Sequence, residues 1–238
     1  MLQSNIISNI NRTIKSSVAG IGSGGGGPVA NSYAQFNGSS DYATIQAISH
    51  AGAAGTYMMR LKLDVATPVD LAKTGFSEWT AHTVGSYYTY LDGLIYLSTF
   101  RVDRVESIAP SGLVPRNSWH WVIIRDDAAN GWEALQSLDD GVLRSISTQA
   151  HQAWDASPTS RFIAVNYEGR RFSGAIDRLL IGNSRWDDAQ IQSVIAGGNG
   201  PDALVRFEFE EIFSNHFLDS SGNAKDALIE GSPTIEIE

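Results

Sequence analysis

The chain has 238 residues, a net charge of −9 at pH 7 and no cysteine. The absence of cysteine excludes disulfides, thiolate metal sites and cysteine catalysis. The acidic balance argues against nucleic acid or anionic lipid as partners, because binding to either requires clustered Lys and Arg.

Residues 1–30 are predicted to form an N-terminal arm that ends in a glycine-rich tether at 20–28. Leu2, Ile6, Ile10 and Ile14 recur every four residues, a spacing that gives an apolar stripe on a helix. Two interpretations remain open. The arm folds back over the rest of the chain, or it docks on another subunit or a host assembly. The first residues lack a continuous apolar segment, so no secretory signal peptide is predicted.

Residues 31–238 carry a series of strand patterns separated by turn signals. Apolar and polar residues alternate from 56 to 65, as in a half-buried strand. Asp92-Gly93 predicts a hairpin within residues 84–100. Further strands are predicted at 204–209 and 234–238. The length suits one β-sandwich plus the arm.

The stretch from 172 to 198 predicts a buried strand, a turn and one short helix. Apolar residues dominate 172–181, and Gly, Asn and Ser follow at 182–184. Asp187 or Asp188 is the predicted N-cap of the helix, and Gly197 with Gly198 ends it.

Two segments of the chain resemble the opening and closing motifs of concanavalin A-like, laminin-G-type jelly-roll domains. The matching residues are Phe36, Gly38, Asp41, Tyr42, Phe172, Gly174, Ile176 and Asp177. This resemblance implies an all-β fold, an antiparallel β-sandwich (jelly roll) over residues 31–238. In relatives, the segment that corresponds to the C-terminal strands often precedes the first motif. We therefore expect those strands to extend the sandwich through a circular rearrangement, or to pair with a neighbouring subunit.

No catalytic constellation is visible in the sequence, and no catalytic residue is predicted. Glu208, Glu210 and Glu211 approach the composition of a glycosidase motif but lack the intervening Asp, so a solvated strand face explains them. The Gly-rich match at 20–25 lacks the strand and helix that a dinucleotide site needs. The five histidines form no close pair that would indicate zinc.

Calcium is the cofactor that the resemblance allows, although none is required. Related sandwiches often bind structural calcium near the two motifs, which implies Asp41, Asp177 and the Gly38 carbonyl as ligands. The alternative is that Asp41 caps a turn and Asp177 pairs with Arg161 or Arg178.

Four tyrosines around the Asp92-Gly93 hairpin are the candidate glycan-binding residues: Tyr87, Tyr88, Tyr90 and Tyr96. Sugar rings stack on aromatic faces while neighbouring polar groups bind their hydroxyls. The alternative is that these rings pack in the core or at its edge.

These observations lead to two functional hypotheses. The first is a non-enzymatic structural or assembly protein, a bacteriophage virion component that decorates the capsid or joins the tail. Its arm would dock on a capsid or other virion protein, its localisation would be the virion, and we expect a homo-oligomer, a trimer. The alternative is a lectin-like, polysaccharide-binding module with possible calcium dependence.

Overall fold

The computed structural model of the chain contains two antiparallel sheets that pack face to face. It describes residues 32–45, 48, 54–64, 73–79, 85–91, 94–101, 104–108, 117–149, 160–165 and 171–238. The strands between 73 and 108 are described by their backbone pairing. The predicted arm, the Asp92-Gly93 turn and Arg161's side chain lie outside the described residues.

The strands follow one another along the chain with short connections in most of the described part. Their bounds are β1 (Ser32–Asn37), β2 (Tyr42–Ile45), β3 (Gly55–Leu63), β4 (Lys73–Trp79), β5 (Gly85–Leu91), β6 (Leu94–Arg101), β7 (Arg104–Ile108), β8 (His120–Asp127), β9 (Gly131–Ser137), β10 (Arg144–Gln149), β11 (Ser160–Ile163), β12 (Ser173–Gly182), β13 (Ala203–Phe207), β14 (Ile212–Phe213), β15 (His216–Phe217), β16 (Ala227–Glu230) and β17 (Thr234–Ile237).

Within the described residues, one sheet has eight strands and the other has nine. The eight-stranded sheet has the order β10-β9-β8-β3-β12-β1-β17, and β13 also pairs with β12. The nine-stranded sheet has the order β14-β15-β16-β2-β11-β4-β5-β6-β7. Each pairing is antiparallel, which confirms the predicted all-β sandwich.

Strand β12 lies at the centre of the eight-stranded sheet, and every residue from Gly174 to Gly182 is buried. One edge pairs with β3 along most of the strand. The other edge is shared, since β1 pairs with its first half and β13 with its second half. Apolar residues dominate 172–181 because both faces of this strand are covered.

The main core lies between the sheets, where alternate residues of each strand point inward. The eight-stranded sheet contributes Phe36, Ile176 and Phe207, among others, and the nine-stranded sheet contributes Ile163 and Phe217. The face of each sheet that lines this core is called the inner face below, and the opposite face is called the outer face.

A second apolar cluster lies on the outer face of the eight-stranded sheet, where helix α1 (Asp188–Ile195) covers it. Ile191 and Val194 of the helix pack with Trp121, Leu180 and other strand residues. Asp187 is the N-cap, with Gln190 completing a capping box. The prediction of a short helix capped at this point is confirmed. In the part of the chain that the structure covers, no helix has the length and apolar character needed to cross a bilayer.

The C-terminal strands pair within this chain and extend both sheets. Strand β13 pairs with β12, β16 with β2, and β17 with β1. The observed pairing therefore agrees with the rearranged-chain alternative, and these strands need no neighbouring subunit.

Trp186 is a buried ring that joins α1 to the sheet. Its indole Nε1 donates to Asp202 at 2.6 Å, and its backbone N–H donates to the Thr56 hydroxyl at 2.8 Å. Gly182 and Gly200 lie against the ring, so close that an added Cβ would be 2.5 Å and 2.4 Å from its atoms. Glycine at these positions therefore makes room for the indole.

We expect Gly182→Ala to destabilise the fold by about 1–3 kcal/mol, because the new methyl group overlaps the Trp186 ring. Urea denaturation measures the loss. The matched control is a double-mutant cycle with Trp186→Phe, whose smaller ring should relieve part of the overlap. Strictly additive losses would contradict this explanation.

Candidate functional site

The outer face of the nine-stranded sheet is an exposed surface in the part where side chains are described. Burial alternates strictly along β16, where Ala227 and Ile229 are buried whereas Leu228 and Glu230 are exposed. Strand β2 alternates in the same way, with Ala43 buried. The alternation fixes which residues of these strands lie on the outer face.

Cross-strand register extends this outer face into one row that crosses the whole nine-stranded sheet. The directly opposed positions, in order, are Phe213, His216, Leu228, Thr44, Phe162, Ser77, Tyr87, Ser98 and Ser107. Because opposed residues of antiparallel strands lie on the same face, the row belongs to the outer face throughout.

The register divides the four candidate tyrosines between the two faces of the sheet. Tyr96 is opposite Thr89, which lies on the same face as Tyr87. Tyr87 and Tyr96 are therefore outer-face positions, and Tyr88 and Tyr90 are inner-face positions. Backbone register therefore assigns two of the four predicted residues to the outer face, and their role in glycan binding stays a prediction.

Two large apolar side chains are exposed at the end of this row. Phe213 is 38% exposed and Leu228 is 41% exposed. On the same face, the Arg171 guanidinium lies 4.3 Å from the centre of the Tyr42 ring. The row therefore offers apolar and aromatic groups beside hydroxyl, imidazole and carboxylate groups.

Asp41 and Gly38, two of the predicted calcium ligands, lie in the turn between β1 and β2. Asp41 is buried and accepts hydrogen bonds from the Asn37 N–H at 3.1 Å and the Ser232 N–H at 2.9 Å. Gly38 has a φ of +73°, and a Cβ there would lie 2.7 Å from Ser173. Asp41 thus ties two turns together, as the turn-capping alternative predicts.

Asp177, the third predicted ligand, lies on the outer face of the eight-stranded sheet. It accepts from Arg60 Nη1 at 2.6 Å, and Arg60 also pairs with Asp139. Burial raises the pKa of the Asp177 carboxyl, although hydrogen bonding and charge interaction with Arg60 partly offset it. The predicted partner Arg178 is wrong, because its guanidinium points to Glu208 and to the end of α1.

Asp41 and Asp177 share no contact partner in the described ranges. Nor do three His, Cys, Asp or Glu side chains group there in a way that could hold a metal ion. Calcium binding by Asp41, Asp177 and Gly38 stays a prediction.

An open pocket of about 580 Å³ lies between the β8–β9 turn and the start of α1. We call it the turn pocket. It is lined by Arg125, Asp127, Asn130, Arg185, Trp186, Asp187, Asp188 and Ala189.

Glu133 lies behind the two arginines of the turn pocket and pairs with both. Its Oε2 accepts from Arg125 Nε at 2.8 Å and from Arg185 Nη2 at 2.7 Å. Arg185 Nη1 also donates to the carbonyls of Arg125 and Gly131. These bonds attach the segment before α1 to the β8–β9 hairpin, so the back of the pocket is rigid.

Carboxylates and an amide form the front of the turn pocket. Asp127 Oδ1 accepts from the Ala129 and Asn130 N–H groups and from the Asn130 amide. Desolvation raises the pKa of Asp127, but these bonds and the charge of Arg185 outweigh it and leave the pKa below its usual range. Asp188 accepts from Arg125 and is 66% exposed.

Sequence reasoning missed the turn pocket. It identified Asp187 and Asp188 as helix-capping residues and assigned nothing to Arg125, Glu133 or Arg185. The local signal was the turn composition at 127–130, whose Asp and Asn favour a tight turn. This turn lies beside α1 only because strands that are distant in the sequence pair with each other, and the local sequence does not show that pairing.

Comparisons with known proteins identify the fold. No family model and no curated protein matches this sequence. A protein from Bacteroides ovatus, provisionally described as carbohydrate binding, superposes with a TM-score of 0.63 at 14% identity, over 88% of this chain and 61% of its own. This chain thus spans about three fifths of that protein.

A heptameric SAP-like pentraxin from Limulus polyphemus superposes with a TM-score of 0.60 at 12% identity, over 90% of this chain and 98% of its own. Domains LG4-5 of the mouse laminin α1 chain give a TM-score of 0.45 at 11% identity, over 68% of this chain and 44% of their own. The fold is a concanavalin A-like jelly roll, as the sequence resemblance implied.

His120 gives the fold a pH dependence. Burial lowers the pKa of this imidazole to about 4, from 6.5 when unburied, although the Ser118 carbonyl and Asp139 favour the charged form. Because the folded-state pKa is depressed, its contribution to stability is complete above pH 6.5 and is lost as pH falls towards 4.

We expect stability to decrease between pH 6.5 and pH 4 by up to about 3 kcal/mol through this group. Urea denaturation at several pH values measures the slope. His120→Gln should flatten the curve in this window, because it removes the titrating group. An unchanged slope in His120→Gln would contradict the assignment.

Proposed function

We propose that this chain is a non-catalytic, lectin-like protein that binds a polysaccharide on the outer face of its nine-stranded sheet. The observation that carries the proposal is the row of directly opposed residues on this face, which begins with exposed Phe213 and Leu228 and continues to Tyr87.

The row has the chemistry that sugar polymers need. Apolar rings and methyl groups cover the C–H faces of pyranose units, and neighbouring polar groups bind their hydroxyls. Nine strands about 4.8 Å apart give a row roughly 38 Å long. An extended polymer can therefore contact several points of the row at once.

The charge of the chain favours a neutral polysaccharide over an acidic one. Glu230 lies on the outer face itself, and the net charge is −9. Like charges repel an anionic polymer and slow its approach.

The comparisons support a binding role through the fold. The Bacteroides ovatus protein with this fold is provisionally described as carbohydrate binding. That property belongs to the relative, and the row described above is the reason for extending it to this chain.

We expect the chain to be retarded in affinity electrophoresis through at least one gel containing a neutral polysaccharide, from a panel of β-glucan, xylan, mannan and α-glucan. Phe213→Ala should weaken retardation about fivefold or more, and Tyr87→Ala should act in the same direction, because each removes a stacking surface.

Ile237→Ala is the matched control, since this residue is 72% exposed on β17 of the other sheet and should leave retardation unchanged. Thermal unfolding checks that each variant folds. If no polysaccharide retards the wild-type chain, or the Phe213 and Tyr87 variants migrate like the control, the proposal is wrong.

The assembly role in a bacteriophage virion is the second candidate, and the sequence of the arm favours it. An apolar stripe of Leu2, Ile6, Ile10 and Ile14 before a glycine-rich tether suits docking on a symmetric partner. The capsid partner, the trimer and the virion location remain predictions.

Deletion of residues 1–28 should abolish self-assembly while leaving the remaining chain folded. Analytical ultracentrifugation of the full and the shortened chain measures assembly, and their unfolding temperatures should agree closely. A shortened chain that still assembles would exclude the arm as the docking element.

A further inference from the structure

We propose that the turn pocket is a second, separate binding site that takes a protonated amino sugar. Its position distinguishes it from the polysaccharide row, because the pocket is lined by β8, the β8–β9 turn, α1 and the segment before α1, all on the side of the eight-stranded sheet. A volume of about 580 Å³ lies within the range of small-molecule sites and accommodates one sugar ring with its substituents.

The donors of the pocket are already committed to internal bonds. Arg125 donates to Glu133, to the Trp186 carbonyl and to Asp188. Arg185 donates to two backbone carbonyls and to Glu133. The guanidinium groups therefore set the shape of the pocket and contribute little attraction for an anion.

The acceptors at the front of the pocket remain available. Asp187 Oδ1 accepts from the Gln190 N–H and Asp188 Oδ1 from Arg125 Nη1, while the second carboxylate oxygen of each has no partner among the described residues. Asn130 directs its amide nitrogen to Asp127, which leaves its carbonyl oxygen without a described partner. A ligand here must donate hydrogen bonds.

The charge of the pocket selects a cation among such donors. The pocket and the residue behind it contain two arginines and four carboxylates (Asp127, Glu133, Asp187 and Asp188), so the site carries a net charge of −2. Asp187 also caps α1, so the positive end of the helix dipole is already compensated. A protonated primary amine supplies both the charge and three donors, and ring hydroxyls supply further donors.

The probes are glucosamine, N-acetylglucosamine, glucose and a capped lysine, titrated into the full chain by calorimetry at low salt. We expect glucosamine to bind at least tenfold more tightly than N-acetylglucosamine or glucose, because acetylation removes the charge that the carboxylates attract. High salt should weaken this preference.

Two variants test the pocket residues. Asp187→Ser removes one carboxylate while keeping a good helix N-cap, and Asp188→Asn removes the carboxylate that pairs with Arg125. Each should reduce glucosamine affinity at least threefold. Asp140→Asn is the matched control, because this exposed carboxylate pairs with Arg144 after β9 and lies outside the pocket. Phe213→Ala should leave glucosamine binding unchanged, which separates this site from the polysaccharide row.

The proposal is overturned if glucosamine and glucose bind equally, or if both pocket variants match the Asp140 control. It is also overturned if capped lysine binds as tightly as glucosamine, since the pocket would then recognise a basic side chain of a protein partner.

Discussion

Arg178 is the buried cation on which the outer side of the eight-stranded sheet depends. A bulge in β12 shifts the register between Ile176 and Arg178, and the Arg178 side chain reaches the end of α1. Its guanidinium donates to the Val194 carbonyl at 2.8 Å and the Gly198 carbonyl at 3.0 Å, and it pairs with Glu208. The last turn of α1 contains no basic residue of its own, so Arg178 supplies the charged donor at the C-terminal end of the helix.

This anchoring explains how a short helix can form a wall of the turn pocket. Arg178 holds the C-terminal end of α1, and the Trp186 ring between two glycines holds the segment before it. Asp187 and Asp188 therefore project from a fixed point beside the β8–β9 turn. The nine-stranded sheet has no comparable helix on its outer face in the described residues, and its exposed row is available to a long ligand.

Local sequence patterns predicted strands and the helix, whereas pairing between distant strands determined which residues meet at the candidate sites. Residues 172–181 were recognisable as a buried strand because apolar residues dominate them, and Asp187 as an N-cap because a helical pattern follows it. The partner of Asp177 was not predictable, since Arg60 is 117 residues away and meets it through the β3–β12 register. The four tyrosines could not be divided between two faces until the register of β5 was known. The turn pocket combines residues from two distant segments, and the sequence of neither segment indicates that the two lie side by side.

The distribution of charge opposes self-association through the exposed row. Residues 1–30 contain Arg12 and Lys15 and no carboxylate, so the acidic excess belongs to residues 31–238. Around the apolar end of the row, Glu210 precedes β14 and Glu230 ends β16, and both are exposed. Two copies that met through this face would bring like charges together, which opposes association in the way that charged residues protect sheet edges. A neutral polymer would meet no such repulsion, so these carboxylates favour the proposed polysaccharide over a second copy of the chain at this face.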